Sequence, residues 1–169
     1  MSDPSVELVS CIPRLRRYAR ALVGDRGGAD DLVQDTVERG WRRIAEWRRD
    51  GEMRAWLFGI MHNLHVDQLR ARRLQTTALD EEATQPAHAV NPSAGLEIRD
   101  MEAALAMLPV EQREILLLVG LEGMTYDQIA GALGLPLGTV MSRLSRGREK
   151  LRILMEGKAV RLTSLQVVK

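Results

Sequence analysis

The sequence predicts an all-α protein of two small helical domains joined by a flexible acidic linker, and three observations carry that prediction. Apolar residues recur at spacings of three and four along most of the 169-residue chain, the pattern of amphipathic helices. Residues 75–95 break that pattern: they are poor in large apolar side chains and contain Pro86, Pro92, Asp80, Glu81 and Glu82, the composition of a linker. Charge is partitioned the same way. The net charge is only +1, yet residues 1–74 hold 14 Lys+Arg against 11 Asp+Glu, residues 75–102 hold 1 against 6, and residues 103–169 hold 9 against 6. Two basic blocks on either side of an acidic stretch suit two DNA-facing modules. The domains expected are 1–74 and 96–155, with 75–95 as linker and 156–169 an unassigned tail.

A hydrophobic fraction of 45% is sufficient for real cores. The single cysteine, Cys11, excludes an internal disulfide and a cysteine zinc site, which suits a reducing cytoplasm. No export signal or membrane-length apolar run is visible, so a cytoplasmic protein without membrane insertion is expected.

From Val6 to Val23, Leu8, Val9, Ile12, Leu15, Ala19 and Leu22 repeat at helical spacing, with Arg14, Arg16, Arg17 and Arg20 elsewhere on the cylinder. Pro13 lacks the N–H of an interior helical residue and is expected to mark a first turn or a kink, with the residues before it frayed or separately oriented. Gly24 to Gly28 reads as a turn. A second helix is expected from about Gly28 to Ile44, with Asp30 and Asp31 in the first turn, where the helix dipole favours negative charge. It directs Leu32, Val33, Thr36, Val37 and Trp41 inward and Asp31, Gln34, Asp35, Glu38, Arg39 and Arg42 outward. By charge alone, that outer face is ordinary solvated surface.

Trp47 to Met53 interrupts the pattern at the turn dipeptide Asp50-Gly51. A third helix resumes near Glu52 and runs to Arg73, with Trp56, Leu57, Ile60, Met61, Leu64 and Leu69 as its stripe. Trp41, Trp47 and Trp56 all lie in this neighbourhood beside arginines, and aromatic faces interleaved with Arg can stack unpaired bases at about 1–3 kcal/mol each. Trp41 and Trp56 fall in phase with core positions and are expected to pack, leaving Trp47 as the exposed candidate. His62, His65 and Asp67 could in principle hold a metal. Ligands converging from a second segment, or a His pair at i, i+4 with a supporting carboxylate, are both missing, so no metal or cofactor is expected and surface or DNA-proximal roles are.

Beyond the linker, Leu96 to Met107 forms a helix with Leu96, Ile98, Met101, Leu105 and Leu108 apolar, and Pro109 opens the next, which ends at Gly120. Met124 to Arg152 then reads as a helix-turn-helix. Thr125 with Gln128 is a capping-box pattern, Ile129, Ala130 and Leu133 give the first stripe, and Gly134 stops that helix. Leu135 and Pro136 make the turn, and Val140, Leu144, Gly147 and Leu151 form the buried side of a second helix whose other side carries Arg143, Arg146, Arg148, Lys150 and Arg152.

Two blocks together resemble the extracytoplasmic-function (ECF, group IV) class of bacterial RNA polymerase sigma factors, of the sigma-70 family. Residues 30–43 and 54–73 are similar to region two, with Trp56, Asn63, Asp67 and Arg70 at matching positions, and residues 108–152 are similar to region four. The resemblance implies a region-two helical bundle followed by a region-four helix-turn-helix, in a factor without catalysis that binds core polymerase, selects a promoter and melts it. By the same resemblance, Asp31, Gln34, Asp35 and Arg39 meet the clamp coiled coil of core polymerase, and region four meets its flap. Trp47, Arg48, Arg49, Asn63, Arg70, Arg72 and Arg73 serve the minus-10 element and melting, and Asp67 either joins them or hydrogen-bonds along its own helix. Thr139, Ser142, Arg143, Arg146 and Arg148 serve the minus-35 element. Met141 stands where many relatives have Arg, so the preferred upstream sequence is left open. An anti-sigma protein is a further partner the family implies. The rival readings are a stand-alone helix-turn-helix regulator and a metal-dependent hydrolase using His62, His65 and Asp67.

Overall fold

A computed structural model describes residues 2–78 and 95–165, with side chains described to Thr77 in the first stretch and to Gly157 in the second. Among these residues the chain has seven α-helices and one 3-10 turn, with no strand: α1 (Pro4–Val23), α2 (Arg26–Arg42), the 3-10 turn Ile44–Glu46, α3 (Met53–Ala78), α4 (Leu96–Ala106), α5 (Val110–Gly120), α6 (Tyr126–Leu133) and α7 (Leu137–Leu165). The linker expected from residue 75 starts later, because α3 continues through Ala78; its acidic and proline-containing part, 79–94, lies outside the described residues. The tail left unassigned from 156 is entered by α7, which runs to Leu165.

α1 is one helix from end to end. The Asp3 carboxylate accepts the Ser5 N–H at 3.0 Å, and Gly24, left-handed at φ 76°, closes the other end. Pro13 lies inside without starting the helix, so of the two expectations the first turn, with fraying before it, is the one overturned. The reason is tertiary. Leu8 is fully buried and Cys11 nearly so, and a buried leucine at about 1.5–3 kcal/mol plus the Asp3 cap at about 1 kcal/mol offsets an interior proline's cost of about 3 kcal/mol.

α2 starts before its expected first residue because Asp25 is the cap, its carboxylate accepting the Gly28 N–H at 2.9 Å. Ala29, Leu32, Val33, Thr36 and Gly40 are buried, but Trp41 is 53% exposed, which corrects its placement in the core. Gly40 takes the inward position. A Cβ there would meet Leu57 Cδ2 at 2.8 Å, so α2 approaches α3 too closely to admit a large side chain, and the neighbouring indole turns outward. Tyr18 and Phe58 meet edge to face, with ring centroids 4.8 Å apart, at the centre of the α1–α2–α3 group.

The C-terminal group packs α4, α5 and α6 on α7. Gly147 permits the close crossing of α5, since a Cβ would lie 3.1 Å from Leu116 Cδ1. On α4, Leu96, Ile98 and Met101 are exposed, whereas Ala104 and the following Leu108 are buried. The two groups also touch: α1 packs on α5 and α3 on α6, and buried side chains from Leu8 to Leu144 form one apolar cluster.

Candidate nucleic-acid interface

The inward positions of α2 fix its outer face. With Leu32, Val33, Thr36 and Gly40 buried, Asp31, Gln34, Asp35 and Arg39 are all exposed, as the sequence predicts. Beside them Glu38 is committed to Arg42, at 2.5 Å.

The segment after α2 begins with the 3-10 turn, where Arg43 holds Glu46 at 2.6 Å and lowers its carboxyl pKa by hydrogen bonding. Trp47 is half-buried against the core rather than exposed, and its Nε1–H is buried without a protein acceptor. Trp56 packs partly buried, as expected. Thus the most exposed tryptophan is Trp41, and Trp47 offers an edge rather than a free ring. Arg48 and Arg49 are exposed next to it, and the Gly51 N–H donates to the Arg48 carbonyl at 3.0 Å to close the turn. On α3, burial of Leu57, Phe58, Ile60, Met61 and His65 leaves Asn63, Asp67, Arg70, Arg72 and Arg73 exposed.

In the helix-turn-helix, both halves of the capping box form. The Thr125 hydroxyl accepts the Gln128 N–H at 3.2 Å, and Gln128 Oε1 accepts the Thr125 N–H at 2.9 Å. Gly134, left-handed at φ 65°, ends α6, and the chain restarts as α7 at Leu137. Val140, Leu144 and Gly147 are buried, so α7 presents Thr139, Ser142 and Arg143 half-buried and Met141, Arg146 and Arg148 exposed. Ser142 donates to the Thr139 carbonyl at 3.3 Å and accepts from Arg146 at 3.1 Å, which holds this polar face in order. Arg152 is not a spare cation. It pairs with Glu149 at 2.6 Å and Glu156 at 2.8 Å, and those hydrogen bonds raise its pKa.

The histidines have other employment than the sequence suggests. His62 Nδ1 lies 2.6 Å from Glu114 Oε1 of α5, and His65 is buried, with desolvation lowering its pKa. Asp67 is exposed on its own, and the described residues contain no cluster able to hold a metal. No helix among the described residues is long and apolar enough to cross a membrane.

Sequence reasoning missed the residues that tie the two groups together. Arg17 of α1 reaches the turn after α5, donating to Glu122 Oε1 at 2.9 Å and to the Leu121 carbonyl at 3.2 Å. Arg54 of α3 donates to the Glu122 carbonyl at 2.8 Å. Arg113 of α5 donates to the Leu22 carbonyl of α1 at 2.7 Å. Burial, with Glu114 and Glu122 nearby, pushes the Tyr18 phenol well up. The one available signal was Glu114, a carboxylate inside the apolar run VEQREILLLVG.

An all-α chain that ends in a capped helix-turn-helix with an arginine-bearing second helix is a DNA-binding transcription factor. Comparison with known proteins narrows the class. Residues 8–62 match the family described as Sigma2 domain of PhyR, and residues 98–151 match Sigma-70, region 4. The ECF RNA polymerase sigma factor EcfG of Rhodopseudomonas palustris (strain TIE-1) is 36% identical over 154 residues, covering 88% of this chain and 83% of that protein. SigE of Mycolicibacterium smegmatis is 38% identical over 82% of this chain and 56% of its own. Among solved structures, the sigma factor RpoE in complex with the anti-sigma factor NepR from Bartonella quintana superposes with a TM-score of 0.80 at 33% identity, covering 89% of this chain and 94% of that one.

The chain belongs to the ECF sigma factor family of bacterial RNA polymerase. It is an alternative sigma factor that binds core polymerase, recognises promoter elements and promotes melting for initiation. Sigma factors are initiation factors that work with the polymerase's own catalytic centre.

Proposed function

We propose a division of labour along the chain, with residues 1–74 as the region-two domain, 96–155 as the region-four domain, and no catalytic chemistry in either. Asp31, Gln34, Asp35 and Arg39 dock on the clamp coiled coil of core polymerase, and region four meets its flap. Trp47, Arg48, Arg49, Asn63, Arg70, Arg72 and Arg73 engage the minus-10 element and its opened strand. Thr139, Ser142, Arg143, Arg146 and Arg148 engage the minus-35 element, where a bidentate Arg–guanine pair contributes about 1–3 kcal/mol of discrimination. The observation that carries the reading is that packing leaves the charged members of these sets exposed on α2, on the loop and α3, and, apart from the half-buried Arg143, on α7.

The half-buried Trp47 fits melting rather than duplex reading. The exposed Arg48 and Arg49 that flank it favour an unpaired base, whose unstacking costs a few kcal/mol, over a base held in the stack. An anti-sigma partner is supported by the relatives solved as complexes, RpoE with NepR and CnrH with the cytosolic domain of CnrY. The site of action is the cytoplasm, where polymerase and promoter meet.

In vitro transcription with core polymerase tests the assignment. Trp47→Ala should impair initiation at least several-fold more on a duplex promoter than on a template already opened at the minus-10 element. Equal defects on both templates would remove Trp47 from the melting step. Asp31→Ala combined with Asp35→Ala should weaken co-elution with core polymerase while leaving binding to an isolated minus-35 duplex intact.

A further inference from the structure

We propose that Met141, flanked by Leu137, is a specificity-determining residue that reads the C5-methyl group of a thymine, so that the minus-35 element must set an A·T pair against the start of α7. The proposal rests on the assignment of α7 to that element and adds which base the apolar end of the helix selects.

α7 opens with the sequence LGTVM, and those five residues carry one polar side chain, that of the half-buried Thr139. The buried side of the helix is made by Val140, Leu144 and Gly147, and the other two apolar residues are left outside it: Leu137 is 42% exposed and Met141 50%. A single exposed leucine or methionine is ordinary protein surface. These two stand one turn apart on the same side of α7, at the end that a helix-turn-helix offers to base edges. Gly138 has open space where a Cβ would stand, so that position adds nothing to screen the pair.

The polar side chains nearby point elsewhere. Thr139 and Arg143 are each two residues from Met141 and therefore about 160° around the helix from it. Arg146 reaches back only to the Ser142 hydroxyl, which it meets at 3.1 Å. On the side of Met141 itself, the next polar residues are Ser145 and Arg148, about 6 and 10 Å further along the helix axis. Arg148 lines the groove beside Met141 together with Tyr126 of α6, which puts a cation for the DNA backbone at the edge of an apolar seat for a base.

Such a seat discriminates in one way. A thioether and a leucine offer no hydrogen-bond donor and only a weak acceptor in the sulfur. In the major groove base pairs differ by their donors and acceptors, and thymine alone adds an apolar group, the C5-methyl. A G·C pair at this place would bury polar edges against side chains that cannot satisfy them, whereas the flexible Met141 can fold onto a methyl.

Uracil pairs as thymine does and lacks only that methyl, which makes it the probe. Holoenzyme reconstituted from the full chain and core polymerase first selects promoters from a duplex library randomised across the minus-35 element. Each thymine of the selected element is then replaced singly by uracil, and binding by the holoenzyme is measured. Wild type should lose about three- to fivefold at one position, the worth of one buried methyl group. Met141→Ala should bind thymine and uracil there equally, and Met141→Leu, which keeps an apolar side chain of similar size, should retain the discrimination. Unchanged preference of Met141→Ala at positions away from that thymine shows that the variant still reads DNA as a folded protein. A selected element without thymine on either strand, or indifference to uracil at every thymine, overturns the proposal. So does equal discrimination by Met141→Ala and wild type, which would assign the preference to the shape of the duplex. A library from which wild-type holoenzyme enriches no sequence would overturn the promoter assignment itself, and this proposal with it.

Discussion

Arg113→Ala offers the most direct test of how the C-terminal group is held. The Arg113 guanidinium donates through Nε to the Leu105 carbonyl at 2.8 Å, through one terminal nitrogen to Ala106 and Leu108 at 2.9 Å each, and through the other to Leu22 at 2.7 Å. Leu105 and Ala106 are the last residues of α4; the Leu105 carbonyl also accepts the Leu108 N–H at 3.1 Å, and the Arg113 side chain adds a donor there, reaches the Ala106 carbonyl as a C-cap would, and ties down the end of α1. Burial pushes the Arg113 pKa down, the mark of a cation kept out of bulk water. Four bonds from a charged donor at about 1.5–3 kcal/mol each set a ceiling of about 6–12 kcal/mol, and relief of the cation's burial together with water entering the vacated space returns most of it. The expected loss is about 2–4 kcal/mol, or a fall in Tm of about 5–15 °C for a chain of this length. Urea and thermal unfolding followed by circular dichroism measure it. Arg113→Lys should recover less than half, because an ammonium cannot reproduce the planar fork. A loss below about 0.5 kcal/mol for Ala, or full recovery by Lys, would refute the reasoning.

Three further outcomes are expected. Thr125→Ala breaks the capping box and should cost about 1 kcal/mol in urea unfolding, with Thr125→Ser close to wild type. His65 has a folded pKa held below its unfolded value near 6.5, so the unfolded chain binds more protons between the two; its contribution to stability should fall as pH drops through 6.5 and stop falling below the depressed value. A stability difference between wild type and His65→Leu that is flat from pH 7 to 5 would exclude this. Arg143→Ala should relax base preference in minus-35 duplex binding, whereas Arg152→Ala, with its guanidinium already shared by Glu149 and Glu156, should lower the salt slope by less than one phosphate contact.

What was legible in the sequence was what is decided locally. The Thr125–Gln128 box, the left-handed Gly134 and the period of Val140, Leu144 and Gly147 each depend on residues within a turn or two, and the helix-turn-helix forms as read. Pro13 and Trp41 were misread because their outcome is settled by contacts from other helices: burial of Leu8 and Cys11 carries α1 past its proline, and Leu57 crowding Gly40 turns the indole out. The contact between the two groups was illegible for the same reason at longer range. Its ties join residues from 52 apart (His62 and Glu114) to 105 apart (Arg17 and Glu122), and no periodicity records such a meeting. The composition of residues 75–95 shows that two units are joined there, and it carries no information about whether they touch.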